Sequence, residues 1–331
     1  MNKLSKHNIV DAVLKHAQSH APKGQGRAYA PVNFALIKYW GKEEDYENIM
    51  LPKTGSLSIS MGKHMGTKTR ISRDDHDSIF LNDAPQDPND NFSKKLWEFV
   101  DLFRTSDLKL RIETQNTVPT AAGLASSASG FAALTLALND FMSWGLSPQH
   151  LSILARLGSG SAARSIYQDG FVELIRGESD DPLGTYARPI THKIDALYIG
   201  ILNLDTRPKK VSSTDGMKKT VLESTLYKNT WAQRVEDDLR DIKNAINAND
   251  FSELGRVSER NAIAMHATAK EVGVNYSYPE TLKNIEKIQN LRSQNIDLYF
   301  TQDAGPNLKI LAKDSTTIQK HVPSADIFKL I

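Results

Sequence analysis

From Ser56 to Met61 the chain reads Ser-Leu-Ser-Ile-Ser-Met, a strict alternation that predicts a half-buried strand, because successive strand side chains point to opposite faces. Residues Gly66 to Ser72 are the expected antiparallel partner. An Asn-, Asp- and Pro-rich stretch, Asn82 to Asn91, reads as a surface loop ahead of a helix near Phe92 to Phe103. Phe131, Leu134, Leu138 and Phe141 recur at helical steps. Ser147 before Pro148 gives an N-cap followed by proline at the first helical position, with Leu151, Leu154 and Leu157 as the buried stripe and Gly158 as the stop. Ala196 to Leu204 is nearly continuous in apolar residues and predicts a buried strand. Trp231, Val235, Leu239, Ile242 and Ile246 make one long amphipathic face, and Asp250 with Glu253 resembles a capping box opening the next helix. Ile296, Leu298 and Phe300 alternate into a strand ending before Asp303, where Gly305-Pro306 turns the chain. Ahead of all these, Ile9, Val10, Val13 and Leu14 predict a short helix that Pro22 to Gly26 breaks.

Turn-rich residues 177–185 before the buried strand put a division near residue 190. Residues 1–26 then form a helical extension and linker, 27–190 an N-terminal domain, and 191–331 a C-terminal domain, which suits a length of 331 residues. Lys plus Arg number 41 against 39 Asp plus Glu, a formal +2 with the signs interspersed, so nothing calls for nucleic acid. No apolar run approaches the roughly 18 residues that span a bilayer, and the N-terminus lacks a secretory apolar core. The expectation is a cytoplasmic protein without membrane contact. With no cysteine, disulfides, thiolate nucleophiles and Cys-based zinc sites are excluded.

Candidate chemistry sits in a few segments. Pro119 to Phe131, rich in Gly, Ala and Ser, leads into the helical pattern, where free N–H groups and the helix dipole favour phosphate. Small side chains allow close approach, and the hydroxyls of Ser126, Ser127 and Ser129 are candidate donors or magnesium ligands. The usual P-loop lysine is missing, so the residues alone leave open a closely packed helix of small residues. Gly158-Ser-Gly-Ser-Ala-Ala163 satisfies a dinucleotide pattern, with Glu178 near the acidic position, but it follows a helix where that motif must follow a strand. Anion contact suits it better: Ser159 and Ser161 offer donors, and Arg164 supplies a planar fork for carboxylate or phosphate. His16 and His20 have the spacing of a metal pair, yet no third ligand is near, and a solvated helix face is expected.

Four segments together carry a resemblance: Pro119 to Phe131, Ala35-Leu-Ile-Lys-Tyr-Trp-Gly-Lys42, Gly158 to Ser165, and Asp303-Ala-Gly-Pro-Asn307. The first is similar to the ATP loop of the superfamily named for galactokinase, homoserine kinase, mevalonate kinase and phosphomevalonate kinase. The other three resemble signatures of its mevalonate diphosphate decarboxylases, from about Arg27 onward. The resemblance implies a two-domain α+β fold with the active site in the interdomain cleft, ATP and Mg²⁺ as co-substrate and cofactor, and commonly a homodimer. It implies decarboxylation of mevalonate 5-diphosphate to isopentenyl diphosphate, releasing ADP, phosphate and CO₂. Asp303 would accept the proton of the hydroxyl being phosphorylated, with Lys38 keeping it ionised. Arg164 would meet the substrate carboxylate in a pocket shared with Asn33, Ser159, Gly160 and Ser161. Tyr39, Lys42 and Ser213 match positions around the diphosphate, and Thr214 and Met217 extend that motif. Pro119, Ala122, Gly123, Leu124, Ala125, Ser126 and Ser127 would hold ATP, with Ser127 also catalytic, while the protein ligands of Mg²⁺ stay unassigned.

Two departures accompany the match: Ala163 stands where many relatives have cysteine, and Lys53-Thr-Gly-Ser56 replaces a common Asn-Ser-Ser form. The second leaves open the 5-monophosphate as substrate. A small-molecule kinase without decarboxylation, or a catalytically silent binding protein, is also compatible with these residues.

Overall fold

The structure is a computed structural model that describes residues 4–117, 126–181, 183–205 and 210–331. In chain order the first half comprises α1 (Lys6–Leu14), β1 (Gln25–Pro31), β2 (Asn33–Ile37), β3 (Ser56–Ser60), β4 (Gly66–Arg73), β5 (Ser78–Leu81) and β6 (Ala84–Pro85). It continues with α2 (Asn91–Val100), β7 (Leu110–Asn116), α3 (Ser126–Phe141), α4 (Pro148–Gly158), β8 (Phe171–Leu174) and β9 (Ala187–Ile190). The second half holds β10 (Tyr198–Leu202), α5 (Ser213–Glu223), α6 (Thr225–Ala248), α7 (Phe251–Glu271), α8 (Pro279–Ser293), β11 (Tyr299–Gln302), β12 (Leu308–Ala312), α9 (Ser315–His321) and β13 (Asp326–Lys329).

Three sheets organise the molecule. The first, in order β1-β4-β7-β5-β6, is antiparallel except where β5 runs parallel to β7, and α1 to α4 share its core through Ile9, Leu96, Phe99, Leu138, Phe141 and Leu154. The second, β2-β3-β8-β9, is antiparallel and shares one core with α5, α6 and α7. The third, β11-β12-β10-β13, places Ile199 and Leu311 in that same core and Phe300 and Ile310 in another beneath α8 and α9. The second sheet and the C-terminal elements are therefore continuous through apolar packing, which holds residues from both halves at one cleft.

Several local expectations match the elements. Ser147 accepts from the His150 amide and Pro148 opens α4, which ends at Gly158. Asp250 accepts from the Glu253 amide at the start of α7, and the predicted stripe on α6 buries Trp231, Val235, Ile242 and Ile246. Others are corrected. Gly66 to Arg73 pairs with β1 and β7, not with β3, whose partners are β2 and β8. β3 is buried along its whole length, not half-buried, because its serines face a polar interior. Asn82 and Asp83, both at positive φ, form the tight turn of a β5–β6 hairpin inside the expected loop. His16 and His20 lie beyond the end of α1, and His16 stacks on His150 with ring centroids 4.3 Å apart.

Candidate active site

β2 carries Phe34, Leu36 and Ile37 into the core and delivers Lys38 at its end. At 2% exposure the ammonium has left bulk water, so its three donors need partners. They find Ala35 O at 2.7 Å, Thr301 Oγ1 at 2.6 Å and Asp303 Oδ1 at 2.9 Å. The Lys38 amide donates to Asn261 Oδ1 on α7 at 2.9 Å, and Asn261 Nδ2 donates to the buried Asp238 at 2.8 Å. Burial lowers Lys38 to about 8, against the opposing charge of Asp303, so the ammonium is still the main form at neutral pH.

Asp303 follows β11, and the turn behind it closes with the Gly305 amide donating to Asp303 O at 2.7 Å. A residue that sequence reasoning missed, Lys309 on β12, reaches Asp303 Oδ2 at 2.8 Å. Burial pushes the carboxyl up, but the charges and hydrogen bonds of Lys309 and Lys38 outweigh it and hold Asp303 well below the usual carboxylate range. Behind it, His266 on α7 is lowered to about 4, first by burial and then by the Lys38 charge, and so is neutral at pH 7.

Arg164 lies in a 3₁₀ turn, Gly160–Ile166, that continues directly from α4. Its Nη1 donates to Ser56 Oγ and its Nε to Ser58 Oγ at 3.1 Å. This explains the polar face of β3: alternate serines turn inward to serve a guanidinium that is only 1% exposed. Among the described residues no carboxylate lies within ion-pairing distance of Arg164, and burial lowers it to about 10, leaving it charged at neutral pH. A buried cation held only by hydroxyls is incomplete and calls for an anion.

The same turn is tied to β2 by Asn33 Nδ2, which donates to Ser165 Oγ at 2.7 Å and Ser161 O at 3.2 Å. Ser159 and Ser161 hydroxyls are 3.3 Å apart. Gly160 lies against the Tyr39 ring so closely that a Cβ there would be 2.3 Å from Cζ, and the Tyr39 hydroxyl donates to Met50 O at 3.2 Å. Ala163 is buried in a small apolar cluster with Val172, Leu174 and Ala187. In the departing segment, Lys53 pairs with Glu43 at 3.1 Å while Ser56 serves Arg164.

Lys42, Thr214 and Met217 line one small cleft with Glu44 and Lys218. Ser213 is the exposed first residue of α5, whose N-terminus is capped by Ser212 accepting from the Asp215 amide at 3.1 Å. Ser127 is exposed near the start of α3 and borders a cavity of about 390 Å³ lined by Phe92, Leu96, Ile112, Phe131 and Leu134. Pro119, Ala122, Gly123, Leu124 and Ala125 lie outside the described residues, as does the side chain of Ser126. The described residues contain no cluster of three or more His, Cys, Asp or Glu side chains able to cage a metal. No helix of the described residues is long and apolar enough to cross a membrane.

Residues 30–183 match the family model of the diphosphomevalonate decarboxylase-like N-terminal domain, and residues 199–325 that of the mevalonate 5-diphosphate decarboxylase C-terminal domain. The diphosphomevalonate decarboxylase of Aspergillus fumigatus is 35% identical over 317 residues, covering 87% of this chain and 77% of that protein. The crystal structure of mevalonate diphosphate decarboxylase from Staphylococcus aureus superposes with a TM-score of 0.84 at 35% identity, covering 92% of this chain and 95% of that one. MDDEF in complex with MVAPP, AMPPCP and magnesium gives a TM-score of 0.82 at 37% identity, covering 92% and 96%.

Proposed function

The chain belongs to the diphosphomevalonate decarboxylase family, and on that premise we propose how its residues divide the ATP-dependent conversion of mevalonate 5-diphosphate to isopentenyl diphosphate, ADP, phosphate and CO₂. The observation that carries the assignment is the convergence of Lys38, Asp303 and Arg164, three buried or half-buried charges from separate elements that lie near enough for each to act on the others' charge. Asp303 accepts the proton of the tertiary 3-hydroxyl as that oxygen takes the γ-phosphoryl group, and Lys38 orients the carboxylate. Arg164 binds the substrate carboxylate, replacing an arrangement of two serine hydroxyls with a charge-assisted pair. Once phosphorylated, the 3-oxygen leaves as phosphate while electrons from the breaking bond to the carboxylate form the alkene and CO₂ departs. Asn33, Ser159, Gly160 and Ser161 shape the pocket around Arg164, and Tyr39, Lys42, Ser213, Thr214 and Met217 receive the diphosphate.

The nucleotide phosphates are assigned to Pro119, Ala122 to Ala125, Ser126 and Ser127, with the adenine in the apolar cavity bordered by Ser127, a shape and polarity suited to a flat base. The Ser127 hydroxyl would help hold magnesium with the bound nucleotide, and the ion would supply charge neutralisation for phosphoryl transfer. We place the division between domains near residue 190, which the gap between the two family matches supports, and take the protein to be a cytoplasmic homodimer. The deciding assay supplies ATP, Mg²⁺ and mevalonate 5-diphosphate and follows CO₂ and phosphate together. Equal amounts of both are expected; ADP and a phosphorylated product without CO₂ would show a kinase instead.

A further inference from the structure

We propose that Lys309 is a positioning residue for the reaction, clamping the Asp303 carboxylate from the side opposite Lys38 so that one orientation of its free lone pairs faces the substrate hydroxyl. The inference rests on the assignment of Asp303 as proton acceptor. β11 and β12 are antiparallel with Thr301 directly opposite Lys309, and Thr301 Oγ1 is also a partner of Lys38 Nζ at 2.6 Å. Strand register thus brings both ammonium groups to one carboxylate, Lys38 on Oδ1 at 2.9 Å and Lys309 on Oδ2 at 2.8 Å.

β12 reads Leu-Lys-Ile-Leu-Ala and is buried throughout, so a lysine in its second position costs desolvation that a leucine or methionine would not. Lys309 is 4% exposed, its Nζ lies 5.1 Å from the Phe34 ring centroid, and Asp303 is its carboxylate partner. An ammonium there serves the carboxylate and little else. With an ammonium on each oxygen, rotation about Cβ–Cγ breaks an ion pair whichever way it turns, and each oxygen keeps a further acceptor position. The charged or titratable groups that face Asp303 are Lys38 from the end of β2, Lys309 from β12, Arg164 from the 160–166 turn, and His266 from α7. Three of these are cations, so Asp303 is the lone anion among them and orientation of its carboxylate is the variable that Lys309 controls.

The test is a double-mutant cycle on the full chain with ATP, Mg²⁺ and mevalonate 5-diphosphate. Lys309→Met is expected to lower kcat on the order of 100-fold, as a misplaced reacting group does, with KM nearly unchanged. Lys309→Arg, which keeps the charge, should recover part of the loss. In an Asp303→Asn background, Lys309→Met should cost almost nothing further, because a residue acting through Asp303 has nothing left to position. Should Lys309→Met melt far below the parent, Lys309→Gln carries the same cycle. Parental kcat in the Lys309 variants beside an impaired Asp303→Asn overturns the clamp and leaves the Asp303 assignment standing. Losses that multiply in the double variant also overturn it, since they make Lys309 independent of Asp303. Near-parental Asp303→Asn removes both assignments at once.

Discussion

Asp303→Asn keeps the side chain's shape while removing the proton acceptor and the charge that both Lys38 and Lys309 contact. Turnover is expected to fall by at least the roughly 100- to 10,000-fold typical of lost general-base catalysis, with substrate still binding by titration calorimetry. Lys38 makes a separate forecast with two opposite signs. Its pKa is lowered by burial to about 8, so its proton and the ion pair are lost as pH rises through that value, and kcat should decline above it. Between about 8 and the ordinary lysine value near 10.4, the unfolded chain holds a proton that the folded one does not, so this group's contribution to stability rises with pH. A kcat flat from pH 7 to 10, or a Lys38→Met variant whose stability difference from the parent ignores pH over that range, would refute the assignment. Lys38 and Asp303 were legible because they sit inside recognisable motifs. Lys309 was not: a lysine between Leu308 and Ile310 reads as one polar position on a strand, and only the pairing of β12 with β11 sends it to the carboxylate.

At the scale of elements, local chemistry read well and partnership did not. Ser147-Pro148 caps a helix through atoms within three residues, so four letters suffice to place the start of α4. Ser56 to Ser60 shows the limit. Alternation reports that two faces differ, but it cannot tell solvent from an interior made polar by Arg164, which is more than a hundred residues away in sequence. The β3–β4 pairing failed for a related reason, since β4 turns aside to join β1 and β7. The turn that carries Arg164 offers its own test. Gly160→Ala places a Cβ 2.3 Å from Tyr39 Cζ, so the ring must move, whereas Gly24→Ala meets nothing within 4 Å. Gly160→Ala is expected to raise KM for mevalonate 5-diphosphate about tenfold or more, about 1.4 kcal/mol, with Gly24→Ala parental in steady-state kinetics. Unchanged KM in Gly160→Ala would detach Tyr39 from the substrate pocket.

For the molecule as a whole, the α+β class was legible through the family resemblance, and the course of the cores was not. The packing of β2 and β3 with α6, α7 and the face of β10 joins residues that no local pattern connects, and that joint is what holds Lys38 against Asp303. Substrate choice belongs to this scale too, since Lys42 comes from the first half and Thr214 and Met217 from the second, around one cleft. If this cleft reads the second phosphate, donors turned toward it lose their partner when only the 5-monophosphate is bound. The diphosphate is therefore expected to have the larger kcat/KM by at least about tenfold, the effect of roughly 1.4 kcal/mol from a single lost hydrogen bond. Equal kcat/KM for the two esters would move Lys42 to a structural or nucleotide-side role.

Arg164, buried and hydrogen-bonded to two serines of β3, with no carboxylate in ion-pairing contact among the described residues, has a consequence for how this protein can evolve. A buried ion with no counter-ion in direct contact opposes folding, so Arg164→Met, which fits the volume without the charge, should melt higher than the parent while being unable to decarboxylate. Selection for robustness alone would erase this side chain; only selection on flux keeps it. The same tension makes substrate a folding partner. At about 100 times its Kd a ligand adds roughly 2.7 kcal/mol to stability, and in Arg164→Met the thermal shift produced by saturating mevalonate 5-diphosphate should shrink. A variant neither more heat-resistant than the parent nor less responsive to substrate would show that the guanidinium is already content where it lies.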